Sequence, residues 1–312
     1  MPLPDLPIIT PDALQTIAEK YHARYVEKLP RQGMFNGVFA LGDDLILRVP
    51  RDNPFPISKT YKEQVAVPAA RAAGVRTPAI VAFDNSRGLI AAPYAVYERV
   101  RGETLESLGL EPHDTPEAWR DLGRDFARLH HGVERRGQLT EVEAPGYPDP
   151  RELADGLADK GHFTRLEARW LRGWLEHLAP AVQTPVELRF LHGDPQGTNV
   201  MVGEANPAYL AVLDWGSAKW GDPAWDFVNV PFGAVPFMLE GYRELAPLAG
   251  DEQGTAEARI LWRTLGSALD GLGGPPLPAQ AWAERPLTVL VQLVRFLLAS
   301  RQRTWLRWLP ES

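Results

Sequence analysis

The chain is 312 residues long, 45% hydrophobic and 23% charged, a composition ordinary for a soluble globular protein, with length for two lobes and a sizeable core. Its formal net charge of -7 argues against a nucleic-acid partner held by a basic surface. It contains no cysteine, which excludes disulfides, thiolate metal sites and cysteine nucleophiles but leaves magnesium, an ion that takes oxygen ligands, available.

The first residues, Met1-Pro2-Leu3-Pro4-Asp5, lack the basic region and apolar run of a secretory signal. Apolar spacing then predicts a helix over 11–28, with Leu14, Ile17, Ala18, Tyr21 and Tyr25 on one face, Thr10 as N-cap and Pro11 at the first helical position. A turn over 29–37 containing Gly33 and Gly37 feeds a strand that ends near Leu41. Gly42-Asp43-Asp44 is a hairpin signal, and Leu45–Pro50 is the returning strand carrying Arg48. The glycines are ordinary turn residues by themselves, since the loop lacks the GxGxxG pattern. A second helix is predicted over 60–73, with Glu63 in its first turns, and Gly74 to Pro78 ends it. Two strands follow, over 80–83 and 92–100.

From there the pattern is mainly helical. A helix is predicted over 116–131, a proline-rich loop over 141–150, and two helical stretches within 153–178 separated near Gly161. Strand, polar loop, strand, turn and strand succeed one another between Leu191 and Leu213. Asp222 then caps a helix start at Pro223. Helical patterns dominate beyond Val235, broken at Gly250 and at 272–276. The apolar run 287–298 is interrupted by Gln292 and Arg295 and is too short to span a bilayer. No membrane or nucleic-acid partner is expected, and the cytoplasm is the expected location.

The residues that carry chemistry lie in His192-Gly193-Asp194, Asn199 and Asp214-Trp215-Gly216. Taken alone, His-Gly-Asp is equally a turn. An aspartate, an amide shortly after it, and a second aspartate at the end of the next apolar strand suit phosphoryl transfer. That reaction needs one carboxylate to orient a hydroxyl and oxygen ligands to hold magnesium against a triphosphate.

At these residues the chain resembles the aminoglycoside phosphotransferase and choline-kinase-like family, relatives of the protein kinases. The family pattern HGDxxxxN is present as His192-Gly193-Asp194 with Asn199, the strand ending in D-W as Leu213-Asp214-Trp215, and GDPxxD as Gly221-Asp222-Pro223 with Asp226. The resemblance implies a two-lobed α+β protein-kinase-like fold. Residues 1–100 would form a β-rich lobe covering the nucleotide, and 101–312 a mainly helical lobe with the catalytic and metal-binding loops. By the same resemblance Asp194 is the catalytic aspartate, Asn199 and Asp214 bind Mg2+, and Asp226 is a buried brace for the catalytic loop. The nucleotide would meet Gly33 and Asn36 of the covering loop, Arg48 paired with Glu63, and backbone groups of a linker from Glu98 to Val100. The cofactors implied are ATP, with GTP as a possible substitute, and Mg2+.

The function read from this is transfer of a phosphoryl group to a hydroxyl of a small molecule, such as an aminoglycoside-like antibiotic, an amino alcohol or a sugar. The competing reading is a kinase-like module that binds nucleotide without transferring it. His192 is expected to brace the loop rather than to act as base. Asp251, Glu252, Glu257 and Asp270 are candidates for an anionic cleft and equally solvated helix ends. Trp220 and Trp225 are candidates for an aromatic cage, with packing as the simpler role.

Overall fold

A computed structural model describes residues 4–30, 33–273, 293, 296–297 and 303–309. Those residues group into two compact units. The first takes the described residues of Met1–Leu110, His131–Val142 and His192–Ala218, and the second those of Glu111–His130, Glu143–Leu191 and Lys219–Ser312.

The first unit opens with α1 (Pro11–Lys20), capped by Thr10, whose hydroxyl accepts from the Ala13 amide. The helix predicted over 11–28 stops at Lys20. His22 adopts a positive φ of 54°, and Val26–Lys28 form β1, pairing antiparallel with β2 (Asn36–Leu41). Sheet hydrogen bonds there override a side-chain spacing that suits either structure. β3 (Leu45–Pro50) returns beside β2, α2 (Pro54–Ala72) follows, and β4 (Ile80–Asp84) and β5 (Tyr94–Glu98) complete an antiparallel sheet of order β1-β2-β3-β5-β4. α2 begins six residues before the predicted Thr60, because Asn53 caps the amide of Phe55 and Pro54 fits the first turn.

Strand alternation sorts this sheet into two faces. Phe39, Leu41, Leu47, Val49, Tyr94 and Val96 form one apolar core with Ala13 and Ile17 of α1. The intervening positions, including Arg48 and Tyr97, lie on the opposite face, where Arg48 and Tyr97 both reach Glu63 of α2. The unit closes with β6 (Glu103–Thr104), the short helix α3 (Leu105–Leu108), and a hairpin of β8 (Val200–Val202) and β9 (Tyr209–Val212).

The second unit is largely helical. It holds most of α4 (Pro116–Gly132), α5 (Pro150–Asp159), α6 (Arg165–Leu178), α7 (Pro180–Gln183), α8 (Val235–Arg243) and α9 (Ala256–Gly273), with β7 (Arg189–Leu191) and β10 (Lys219–Gly221) paired antiparallel. Residues 256–262 are buried without a break, so α9 is an interior helix rather than a surface one. At one crossing, Gly123 of α4 lies against the backbone of α8, and Gly241 of α8 against the backbone of α4. A Cβ on either would stand 2.0 Å from a carbonyl oxygen, of Met238 and Arg120 respectively. The expected helix break at 272–276 and the apolar run 287–298 fall largely outside the described residues.

Candidate active site

The β8–β9 hairpin places the expected metal ligands together. Leu213 donates its amide to the Asn199 carbonyl at 2.8 Å, so Asn199 and Asp214 emerge from neighbouring strand ends. Asp214 sits in the left-handed region at φ 64°, ψ 74°, a conformation that costs a non-glycine residue energy and persists where surrounding structure enforces it. Two features enforce it. Trp215 is buried and donates from Nε1 to Thr77 Oγ1 at 2.9 Å, and Gly216 is buried where a Cβ would meet the Lys59 stem at 2.8 Å.

The loop before this hairpin is tied to itself. His192 is buried, with Nε2 2.9 Å from the Leu213 carbonyl and Nδ1 3.2 Å from the Asp194 amide. A carbonyl can only accept and an amide can only donate, so the imidazole carries its proton on Nε2 and accepts at Nδ1. Both nitrogens are engaged, which fits the bracing role expected of His192 and leaves no lone pair for general base work. Gly193 takes a φ of 82° at the turn, a backbone conformation that favours glycine. Asn199 donates from Nδ2 to the Asp194 carbonyl at 2.8 Å, and Gln196 donates to Asp194 Oδ2 at 3.1 Å. The Asn199 amide is therefore oriented with nitrogen toward the loop, and its side-chain oxygen is left for another ligand.

Arg48 bridges the sheet and the hairpin. Its guanidinium donates to both oxygens of Glu63 at 2.9 and 3.1 Å and lies 3.7 Å from Asp214 Oδ1. The expected Arg48–Glu63 pair is present. Burial disfavours the Arg48 cation, but Glu63 and Asp214 outweigh it and raise its pKa. Burial pushes the Glu63 carboxyl up against the pull of Arg48. For Asp214 burial again opposes ionisation, yet Arg48 and then Lys59 hold the carboxyl below its usual range.

Two residues of this cluster were not read from the sequence. Tyr97 of β5 donates its hydroxyl to Glu63 Oε2, and the Arg48 guanidinium stands 5.4 Å from its ring centre. Burial, then the Glu63 charge, lifts the Tyr97 pKa well above the usual phenol value. Lys59 precedes Glu63 by one turn of α2, and its ammonium is 3.3 Å from Ser217 Oγ. The one available signal was the i, i+4 spacing that puts Lys59 and Glu63 on the same face of a helix.

Of the remaining expected nucleotide contacts, Asn36 is buried and opens β2 opposite Pro50, and Gly33 lies just before it. In the linker the Glu98 amide is already given to the Ala79 carbonyl and the Arg99 amide to the Asp44 carbonyl. Among the described residues the Val100 amide has no protein partner. A cavity of about 530 Å³ flanks the same linker, lined by Arg71, Arg76, Thr77, Glu98, Arg99 and Val100 among others. Neither Arg48 nor Asp214 lines it.

The donor set suits magnesium. It combines a half-buried carboxylate and an amide oxygen, with the cations Arg48 and Lys59 acting on the carboxylate. Magnesium binds through one or two such oxygens plus the phosphates of a nucleotide rather than in an all-protein cage.

Within the second unit Asp226 is fully buried, as expected. His130 Nε2 lies 3.0 Å from its carboxylate, and His130 Nδ1 3.1 Å from the Tyr242 hydroxyl. Asp222 caps the turn at Pro223 by accepting from Ala224, and also receives Arg259 at 2.8 Å and Arg263 at 3.0 Å. The anionic-cleft candidates Asp251 and Glu257 both pair with Arg243, which neutralises much of their charge. Trp220 is buried against Phe190, in the packing role. Trp225 is half-buried and stacks on Tyr147 at 4.0 Å, with the Lys219 ammonium over both rings.

Residues 28–259 match the model of the phosphotransferase enzyme family. No match to a curated protein accompanies it. Among solved structures, the chain resembles the GDP complex of wild-type aminoglycoside 2'-phosphotransferase-IIIa, at 16% identity and a TM-score of 0.64, covering 90% of this chain and 96% of that one. The streptomycin–ATP ternary complex of APH(2")-IIa aligns at 15% identity and a TM-score of 0.55, over 96% and 99%. A choline/ethanolamine kinase family protein from Mesorhizobium loti aligns at 20% identity and a TM-score of 0.57, over 95% and 97%. At these identities the likenesses establish the fold, which is the protein-kinase-like α+β fold read from the sequence.

Proposed function

Because the chain belongs to the phosphotransferase enzyme family, we propose that it is a small-molecule kinase that uses Mg2+ and ATP to phosphorylate a hydroxyl group. The observation that carries this reading is the cluster of Asp194, Asn199, Asp214, Arg48 and Glu63 within one compact unit, joined by named hydrogen bonds and ion pairs.

In this reading Asn199 and Asp214 would hold the magnesium, which would neutralise charge on the phosphates. Arg48, fixed by Glu63 and Tyr97, supplies a second positive charge to them. Asp194 accepts the proton of the acceptor hydroxyl as its oxygen bonds to the terminal phosphorus and the phosphorus–oxygen bond to ADP breaks. Asn199 and Gln196 fix the orientation of Asp194, and His192 fixes the loop that carries it. Little covalent work falls to the protein in such a transfer, so alignment and electrostatics supply most of the rate. The adenine ring is received at Val100, whose free amide donates to it, while Glu98 contributes its carbonyl.

The acceptor in this reading is a small hydroxylated molecule: an aminoglycoside-like antibiotic, an amino alcohol or a sugar. The structures similar in fold include one solved with kanamycin and one with gentamicin, which supports beginning with aminoglycosides. The test is an ATP-consumption screen over these acceptor classes, with and without Mg2+, run in parallel on the Asp194→Asn variant. Acceptor-dependent consumption in wild type that needs Mg2+ and is lost in the variant supports the kinase reading. Nucleotide binding with no turnover on any acceptor supports a binding module instead.

A further inference from the structure

Lys59 occupies a position that a solvated surface lysine would not need. It lies in the second turn of α2, four residues before Glu63 and so on the same face. Its ammonium stands 4.6 Å from the ring centre of Phe35, in the loop just before β2, and 5.0 Å from that of Phe55. These two rings meet edge to face at 5.4 Å. The ammonium also donates to Ser217 Oγ at 3.3 Å, three residues after Asp214. Lys59 thus touches the covering loop, the start of α2 and the turn that carries Asp214.

Two further observations show that the site is built around it. Gly216 has no Cβ where one would lie 2.8 Å from the Lys59 Cβ and 3.0 Å from its Cδ, so the turn leaves space for the aliphatic stem. Among the described residues, no carboxylate lies within ion-pair distance of the ammonium. Arg48, by contrast, is committed to two carboxylates, with one nitrogen on Glu63 and another near Asp214. Lys59 acts on Asp214 only from beyond ion-pair distance, and its ammonium rests on aromatic faces that hold it in place without a direct carboxylate partner.

We propose that Lys59 is a second phosphate-binding residue of the nucleotide site, its ammonium contacting the terminal phosphates beside Arg48. The proposal rests on the kinase reading above. An ammonium on a flexible stem acts as a point charge that can follow a phosphate, whereas the Arg48 fork is fixed by its partners. Contact with Phe35 places the charge next to the end of the loop that leads into β2.

The test is calorimetric titration of ATP and of adenosine, in Mg2+, into wild type, Lys59→Met and Lys59→Arg. Methionine keeps most of the stem against Gly216 and the two rings and removes the charge. Loss of one charge-assisted hydrogen bond weakens ATP binding by about tenfold, and adenosine binding is expected to stay unchanged. Lys59→Arg is expected to recover most of the ATP affinity. Lys59→Gln, which keeps a donor for Ser217, carries the same expectation as methionine and replaces it where methionine does not fold. Unchanged ATP affinity in the neutral variant, or equal losses for ATP and adenosine, would overturn the proposal and leave Lys59 a packing residue. If wild type itself does not bind ATP, the kinase reading falls and takes this proposal with it. If wild type binds ATP and the neutral variant binds it equally well, the Lys59 proposal alone fails.

Discussion

At the scale of single residues, Asp194 and Asp226 are expected to respond to substitution in opposite ways. Asp194 is half-buried on a loop whose shape is set by His192, Asn199 and Gln196. Asp194→Asn keeps that shape and removes the carboxylate proposed to accept the proton. The expected result is a rate loss of about 10²–10⁴ with near-normal ATP affinity and melting temperature, read by steady-state kinetics and calorimetry. Asp226 is fully buried in the second unit, where its carboxylate lies 3.0 Å from the buried His130 ring nitrogen. Asp226→Ala leaves that ring without its acceptor and is expected to cost about 1–3 kcal/mol, seen as a fall in denaturation midpoint; a variant that melts like wild type contradicts the assignment. The sequence singled out both aspartates, because each belongs to a short motif of the family pattern. It did not reveal Tyr97 or Lys59. Each gains its meaning only when α2 docks on the sheet face carrying Arg48, a long-range event that leaves no local pattern.

At the scale of elements, the strands and hairpins were the most readable parts. Alternation alone separates the α1-facing core from the Arg48 face, and Gly42 at a φ of 61° makes the turn that returns β3 to β2. Helix ends were less readable. α1 was extended through Tyr25 by side-chain spacing, yet residues 26–28 gain more from sheet pairing. α2 starts at Pro54, six residues before the predicted Thr60, since proline is accommodated in a first helical turn. The α4–α8 crossing offers a direct test of packing away from the site. Gly241→Ala would place a methyl 2.0 Å from the Arg120 carbonyl oxygen, and neither backbone can yield cheaply. A loss of about 1–3 kcal/mol is expected, with ATP affinity unchanged in the folded fraction.

The same crossing carries a pH-dependent clamp. Arg124 hydrogen-bonds Glu244 at 2.7 Å, and that bond holds the Glu244 carboxyl below the usual glutamate range. A carboxyl whose folded pKa is depressed adds stability that is fully present above the unfolded pKa and is lost as the pH falls through the folded value. Melting curves of wild type and Glu244→Gln are therefore expected to differ at neutral pH and to converge in acid. The difference is small, since the pair is exposed to solvent. Curves that diverge further in acid would contradict this account.

At the scale of the whole molecule, net charge argues against a basic nucleic-acid surface and the lack of cysteine excludes thiol chemistry, but composition does not point to an acceptor. Acceptor specificity comes from side chains brought together by tertiary packing. Asp251 and Glu257 illustrate why it was not legible: both read as free acids in the sequence, and both are paired with Arg243 in the fold. No described helix is long and apolar enough to cross a membrane. What the whole chain does depends most on whether Asp214 and Asn199 hold magnesium against a nucleotide. Calorimetric titration of ATP into the wild-type chain, with Mg2+ and then with the metal chelated, addresses that question directly. Binding is expected to weaken sharply on chelation, with the metal-dependent part absent from Asp214→Ala. Equal affinity with and without the metal, or a metal response that survives in Asp214→Ala, would contradict that expectation.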